Sequence, residues 1–175
     1  MSAIEGHVTF DVGDVTFALA VADVQEILRS GVAPVVVLSG RELHGRPLAL
    51  VDARGRTVPV MDLRTDPDAP ADVIVPFDRT TTGVLVDHVR AVVGPGALLV
   101  EADVPAALPS YALGVLRPAG GGAPVLLLGL PAVPPDWEVW AAEHEQNEVA
   151  FGAPVDLETE PIAQDAAQDL LAPVG

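Results

Sequence analysis

Polar and apolar residues alternate in the first part of this chain, most clearly at residues 7–12, 15–19 and 58–63. A period of two predicts β-strands with one face in contact with solvent. Further strands are predicted where short apolar runs stand between glycine, proline and aspartate, at residues 32–38, 48–51, 72–77, 83–93, 98–101, 112–116 and 123–130. Many brief strands with such turns predict an antiparallel barrel or sandwich instead of a βαβ fold.

One early segment has helical spacing instead. Its apolar residues at 21, 24 and 28 would share one face of a helix over residues 21–28. Asp23 and Glu26 in the same segment have the spacing of a capping box. The pattern therefore predicts one short helix between the second and third strands.

Arg54-Gly55 is predicted to form a tight turn between two strands. It separates the apolar runs 47–51 and 58–63, and a glycine in that place permits the positive φ angle that a hairpin turn needs. Pro59 cannot donate a hydrogen bond to a neighbouring strand, so it predicts that the second strand lies at a sheet edge or passes between sheets. The turn should therefore be accessible, with Arg54 at its tip.

No set of residues predicts an active site or a metal centre. The four histidines are far apart in the sequence, and no pair has the spacing of a zinc-binding helix motif. Neighbouring residues on a strand point to opposite faces, so Asp87 and His88 are not expected to form a catalytic pair. Asp87 is expected instead to accept hydrogen bonds from backbone donors or from Arg64, with His88 exposed, and Arg64 itself is expected to pair with Asp62. Residues 120–122, all glycine, lack the Lys-Ser/Thr of a phosphate loop and predict a hairpin turn. We therefore expect no catalytic residue, metal ligand or cofactor.

Composition and charge argue against several classes of function. The formal net charge of −16 argues against binding to nucleic acid, because that needs a basic surface. The absence of cysteine excludes disulfides and thiolate sites. The apolar runs are shorter than the about 20 residues of a membrane span, and residues 1–7 lack the pattern of a secretory signal. We therefore expect a cytoplasmic protein without membrane insertion.

The chain changes character from residue 134 onward. Residues 134–175 contain many acidic residues and neither lysine nor arginine, which predicts an acidic C-terminal extension that is partly helical or disordered. Trp137, Trp140 and His144 are spaced to form one face of a short helix. A second amphipathic turn is predicted at residues 164–171, and the composition favours disorder beyond about residue 148.

Four blocks of sequence follow one another in a recognisable order. They are the hairpin at residues 8–19 with Val24-Gln25-Glu26-Ile27 after it, the turn and strand at 52–64, the strand at 83–89, and the closing hairpin at 111–130. Together these blocks cover residues 4–133 and resemble the CheW family, the adaptor proteins of bacterial chemotaxis. The resemblance implies an all-β fold of two packed five-stranded barrels of the SH3-like kind in a domain over residues 1–133, with the second barrel starting near residue 72.

The resemblance also implies partners and contact residues. In the CheW family, the positions matched by Val24, Glu26 and Arg54 lie at surfaces that contact a chemoreceptor tip and the regulatory domain of the histidine kinase CheA. It therefore implies a non-enzymatic adaptor that couples methyl-accepting chemoreceptors to CheA. Taken as residues alone, Val24 could instead be the buried face of the short helix, Glu26 its capping residue, and Arg54 a solvated turn residue.

The turn departs from the usual family pattern. The family has asparagine and leucine before the arginine and glycine, whereas this chain has Asp52-Ala53, which removes an apolar anchor and adds a charge beside Arg54. Residues 39–46 form a polar excursion that lengthens the preceding segment. These differences leave open a second hypothesis, a diverged scaffold of another sensory or motility complex. A third hypothesis, from a different class, is a small β-barrel enzyme.

Overall fold

The computed structural model describes residues 6–101, 103 and 105–152, with side chains described up to residue 145. The chain divides into two units, one ending at Pro135 and one beginning at Asp136. The first unit consists mainly of β-strands, as predicted. They are β1 His7–Val12, β2 Val15–Ala20, β3 Val24–Leu28, β4 Val35–Leu43, β5 Arg46–Ala53, β6 Arg56–Asp62, β7 Asp72–Pro76, β8 Gly83–Val86, β9 His88–Val93, β10 Leu98–Val100, β11 Ala112–Pro118 and β12 Val125–Leu128.

The twelve strands of the described part form two six-stranded sheets. Sheet 1 has the order β10-β11-β12-β2-β1-β9, and sheet 2 has the order β3-β7-β8-β6-β5-β4. Adjacent strands pair antiparallel except β12 with β2 and β6 with β8, which pair parallel. Over the described residues no ladder joins the two outer strands of either sheet. The structure therefore shows two open six-stranded sheets where the resemblance implied two five-stranded barrels.

Alternate residues along a strand contribute to different hydrophobic cores. On β6, Val60 belongs to the core inside sheet 2, whereas Met61 belongs to the core between the two sheets. On β2, Phe17 and Leu19 belong to the core between the sheets, and Ala18 belongs to a smaller core inside sheet 1. Burial of one large apolar side chain stabilises a fold by about 1.5–3 kcal/mol. β6 is thus buried on both faces, so the solvent-exposed face predicted for residues 58–63 is wrong.

The helix predicted over residues 21–28 is wrong. Only Val21–Asp23 forms a single 3₁₀ turn, and no side chain caps it. The residues that follow form β3, which pairs antiparallel with β7. The carbonyl of Asp23 accepts a hydrogen bond from the N–H of Phe77 at 2.9 Å, just beyond β7. Pairing with β7 satisfies the backbone of this segment, and that long-range gain outweighs the local helical spacing.

Pro59 lies within sheet 2 and not at its edge, so that prediction is also wrong. β6 is placed between β5, where Pro59 is opposite Leu50, and β8. The ladder with β8 begins only at Val60, which is opposite Gly83. Because β8 does not extend as far as Pro59, the β8 side of the strand requires no N–H at this residue.

Asp62 and Arg64 form the predicted ion pair at the end of β6. The Arg64 guanidinium donates to both carboxylate oxygens of Asp62, at 3.0 and 2.8 Å, and both side chains are buried. The side chain of Arg46 on β5 donates to the backbone carbonyls of both residues. This network fixes the end of β6 against β5.

Asp72 connects the two sheets. Its carboxylate, on β7 of sheet 2, accepts hydrogen bonds from the N–H of Val89 at 2.8 Å on β9 of sheet 1, from the N–H of Ser30 at 2.9 Å and from Arg29 at 2.9 Å. Burial opposes ionisation of this carboxyl, but the three hydrogen bonds and the charge of Arg29 outweigh it and hold the pKa of Asp72 below its ordinary value.

Asp87 makes a second connection between the sheets, and its predicted role as a structural acid is confirmed. Its carboxylate accepts hydrogen bonds from the N–H of Gly13 at 2.6 Å and the hydroxyl of Thr65 at 3.2 Å. Gly13 lies in the β1–β2 turn of sheet 1, and Thr65 follows β6 of sheet 2. The neighbouring His88 side chain is 66% exposed, as expected.

The second unit contains one α-helix in its described part, α1, over Trp137–Gly152. Trp137, Trp140 and His144 all lie on this helix, as the spacing predicted. Disorder was predicted beyond about residue 148, but residues 149–152 belong to α1. The rest of that segment, including the second amphipathic turn at 164–171, lies outside the described residues. Among the residues that are described, no helix is both long enough and apolar enough to cross a bilayer.

Candidate functional site

The turn between β5 and β6 has the backbone geometry of a tight hairpin. Both Arg54 and Gly55 have positive φ angles, 54° and 83°, whereas the sequence indicated such an angle at one residue only. Two consecutive positive φ angles match the right-handed twist of the flanking strands. The carboxylate of Asp52 accepts a hydrogen bond from the N–H of Gly55 at 2.6 Å. The turn is thereby closed, and the Arg54 side chain is left 81% exposed.

Glu26 and Arg54 form an ion pair in the folded structure. The Nε of Arg54 lies 3.0 Å from a carboxylate oxygen of Glu26, whose side chain is 23% exposed. Next to this pair, Arg56 donates a hydrogen bond to the side chain of Gln25 at 3.3 Å. β3 is an outer strand of sheet 2 and is not adjacent to β5 or β6 in the strand order. The sheet therefore curls until its outer strand meets the β5–β6 turn.

Val24 occupies a different environment from Glu26. It lies opposite Pro76, and the register of β3 against β7 shifts between Val24 and Glu26. The Val24 side chain is half-buried and packs against the core between the two sheets. The structure thus joins two of the three predicted contact residues in one ion pair and places the third partly in the core.

A shallow apolar groove lies directly beside the Arg54 turn. It has a volume of about 230 Å³ and includes Leu28, Val32 and Pro34 on one side and Asp52 and Arg54 on the other. Val32 is 66% exposed. The apolar pattern predicts a strand from residue 32, which conceals this groove, whereas β4 begins only at Val35. The signal available was an apolar Val-Ala-Pro segment directly after a glycine.

Ala53 has a role other than the one the sequence suggested. It is 6% exposed and belongs to the core inside sheet 2. An alanine at this position therefore changes packing beneath the turn and does not remove an exposed apolar anchor. The extra charge, Asp52, is bound to the backbone of the turn. The effect of Asp52-Ala53 on partner binding stays a prediction.

The arrangement is suited to binding another protein. An exposed guanidinium, a partly exposed carboxylate and an apolar groove lie side by side, which is the combination of apolar centre and polar rim found in protein interfaces. In the described part of the chain, no three histidine, aspartate or glutamate side chains lie close enough together to hold a metal ion. The geometry therefore offers recognition through charge and shape.

Comparisons with known proteins bear on the family and the fold. A sequence model of the CheW-like domain matches residues 6–135 of the chain. Among solved structures, the scaffolding protein TtCheW from Thermoanaerobacter tengcongensis is similar, with a TM-score of 0.55 and 16% sequence identity over 73% of this chain and 90% of that one. No sequence among curated proteins matches the chain. The structural similarity shows that the two proteins share a fold.

Proposed function

The chain belongs to the CheW-like domain family, and on that basis we propose that it is a non-enzymatic adaptor that couples chemoreceptors to the histidine kinase CheA in the cytoplasm. One observation carries the proposal. Glu26 and Arg54, which the family resemblance placed at partner-binding surfaces, form one ion pair at the surface although they lie on different elements. Such an adaptor would act through binding geometry.

The receptor contact is proposed to lie at Arg54 and the adjacent groove. The tip of a methyl-accepting chemoreceptor would insert apolar side chains beside Val32 and place a polar or acidic group near Arg54. Apolar contacts would supply most of the affinity, and the Glu26–Arg54 pair would fix the orientation of the partner. The groove and the exposure of the Val32 and Arg54 side chains support this assignment.

The kinase contact is proposed to lie at the edges of the sheets. One of these edges is β3, which carries Val24. β3 is an outer strand of sheet 2, and in the described part of the chain no strand pairs with its other edge. The regulatory domain of CheA would bind there. We also propose that residues 1–133 form the CheW-like domain and that the acidic extension, residues 134–175, is a separate region.

A binding experiment with a matched control tests the proposal. Arg54→Glu should weaken association with a chemoreceptor tip at least about tenfold, since it reverses a charge at the contact. Arg117→Glu is the control, because Arg117 also forms a surface ion pair, with Glu101 at 2.6 Å, but lies on β11 of sheet 1. Both variants should keep the melting temperature of the parent within a few degrees, because surface pairs contribute about 0–1 kcal/mol. Equal receptor binding by parent and Arg54→Glu would remove Arg54 from the site.

A diverged scaffold for another sensory or motility complex is the second candidate. The observation that favours it is the outer strand β4, whose register against β5 shifts between Val37 and Glu42. Gly40 lies in that irregular stretch with a φ angle of 71°. This reshapes an edge that a partner would meet. Co-purification with the CheA regulatory domain supports the first candidate, and its absence together with retention of another sensory complex supports the second.

A further inference from the structure

A second groove lies between the β7–β8 loop and the strands β11 and β12. It has a volume of about 340 Å³ and contains Leu128 and Leu130, with Phe77 and Leu113 at its margins. Phe77 and Leu113 are each 70% exposed. Large apolar side chains that stand together at the surface mark interaction sites more often than isolated ones do. We refer to this feature as the Phe77 groove.

The Phe77 groove is held open by backbone hydrogen bonds from both sheets. The N–H of Phe77 donates to the carbonyl of Asp23 at 2.9 Å. The N–H of Thr82 donates to the carbonyl of Pro131 at 2.7 Å, which joins the β7–β8 loop to the segment after β12. Thr82 is itself fully buried. The exposed ring of Phe77 therefore stands on an ordered framework, which lowers the entropy lost when a partner binds.

The opposite margin of the groove depends on a glycine. A Cβ atom at Gly129 would lie 2.8 Å from the side chain of Leu113, closer than such atoms approach. The N–H of Gly129 donates to the carbonyl of Tyr111 at 2.9 Å, which fixes the backbone there. Leu113 can therefore lie over residue 129 while most of its side chain remains accessible.

The charged residues that line the groove are both acidic. Asp23 and Asp78 belong to the lining, and Arg79 of the same loop does not. The backbone N–H and the hydroxyl of Thr80 each donate to Asp78 at 2.8 Å and hold the pKa of its carboxyl below the ordinary value. Two carboxylates beside an apolar floor complement a segment that has apolar side chains on one face and cationic side chains next to them.

From this arrangement we propose that the Phe77 groove is a second protein-docking surface, which takes an amphipathic segment of a partner protein with lysine or arginine beside its apolar residues. The groove shares none of its lining residues with the Glu26–Arg54 site. An adaptor with two separate surfaces can hold two partners at once. The proposal goes beyond coupling at Arg54 and does not depend on it.

The test uses the full chain, labelled with ¹⁵N, and a synthetic helical peptide of about 14 leucine and lysine residues, roughly four turns. Addition of this peptide should shift the amide signals of Phe77, Thr81, Leu113 and Gly129. A peptide with glutamate in place of lysine should bind at least about tenfold more weakly. Signals that move only in residues 136–152, or equal binding of the two peptides, would contradict the proposal.

Variants locate the interaction on the surface. Phe77→Ala and Leu113→Ala should each reduce affinity for the leucine-lysine peptide at least about fivefold, since each removes apolar contact area. Leu99→Ala is the matched control, because Leu99 is 54% exposed on β10 and does not line the groove. Melting temperatures report whether each variant is folded. Unchanged affinity in both folded groove variants would overturn the proposal.

Discussion

Asp72→Asn should destabilise the β-sheet unit, because Asp72 connects its two sheets. The carboxylate accepts hydrogen bonds from two backbone N–H groups and from Arg29, and its side chain is 6% exposed. Asparagine has nearly the same shape but only one accepting oxygen, and its amide group would face a donor. The substitution therefore removes charge and at least one hydrogen bond without leaving a cavity.

The magnitude follows from the exposure of the two partners. Removal of one member of a fully buried ion pair costs about 3–5 kcal/mol, because the other charge is left without compensation. Arg29 is 56% exposed, so water can solvate it when Asp72 loses its charge. The substitution then loses mainly the hydrogen bonds to the charged carboxylate. We expect the free energy of unfolding to fall by about 2–3 kcal/mol in total. For a chain of this size, that corresponds to a fall in melting temperature of about 5–10 °C.

The effect should also depend on pH in a defined direction. The pKa of Asp72 is lowered in the folded protein, so ionisation of its carboxyl stabilises the fold fully above the unfolded pKa of about 4. This contribution is lost as the pH falls through the lower, folded pKa. Because asparagine does not titrate, the difference between parent and Asp72→Asn should be larger at neutral pH than below about pH 4.

Urea unfolding followed by far-ultraviolet circular dichroism measures this difference at each pH. Asp68→Asn is the control, because Asp68 is an exposed aspartate in the loop after β6. It should change the urea midpoint very little at any pH. The reasoning is refuted if Asp72→Asn is no more destabilising than Asp68→Asn, or if its effect is as large below pH 4 as at neutral pH.

Three further variants test other parts of the structure. Arg54→Gly should weaken binding to a receptor tip but leave the urea midpoint nearly unchanged. Glycine adopts the left-handed backbone conformation without strain, which gains about 1–2 kcal/mol. This gain offsets the loss of the ion pair and the greater entropy of the unfolded chain. Val24→Lys should lower stability by about 1–3 kcal/mol because Val24 packs against the core, and kinase binding measured on the same variant shows whether it is also a contact. Asp62→Ala should lower the free energy of unfolding by about 3–5 kcal/mol, because it leaves the charge of Arg64 buried and unpaired. Thermal unfolding measures this loss, and a value below about 1 kcal/mol would contradict the reasoning.

Features with a local cause could be predicted from the sequence. The β1–β2 hairpin and the Arg54-Gly55 turn were both expected, because alternation and turn glycines act over a few residues. The glycines at 120–122 do lie between β11 and β12, as a hairpin loop requires. The role of Asp87 as a structural acid was also predicted, although Asp87 lies between β8 and β9 and not within one strand.

Predictions failed where a distant strand changed the outcome. Residues 24–28 have helical spacing, but the free edge of β7 pairs with them and makes them a strand. Pro59 suggested a sheet edge, but β8 is too short to reach it, so the proline fits inside the sheet. The partner strands, β7 for residues 24–28 and β8 for the strand that contains Pro59, are distant in sequence. No local pattern shows where these partner strands begin or end.

By itself, the sequence determined the β-rich class of the main domain, most of its strands and turns, the family resemblance and the absence of disulfides. These depend on side-chain periodicity, turn chemistry and composition, which are local properties. Only the tertiary structure decided that sheet 2 curls until Glu26 meets Arg54, that Ala53 is buried beneath the turn, and that Phe77 stands exposed beside a groove. These features depend on how strands distant in sequence pair and pack, and that is set by burial across the whole unit.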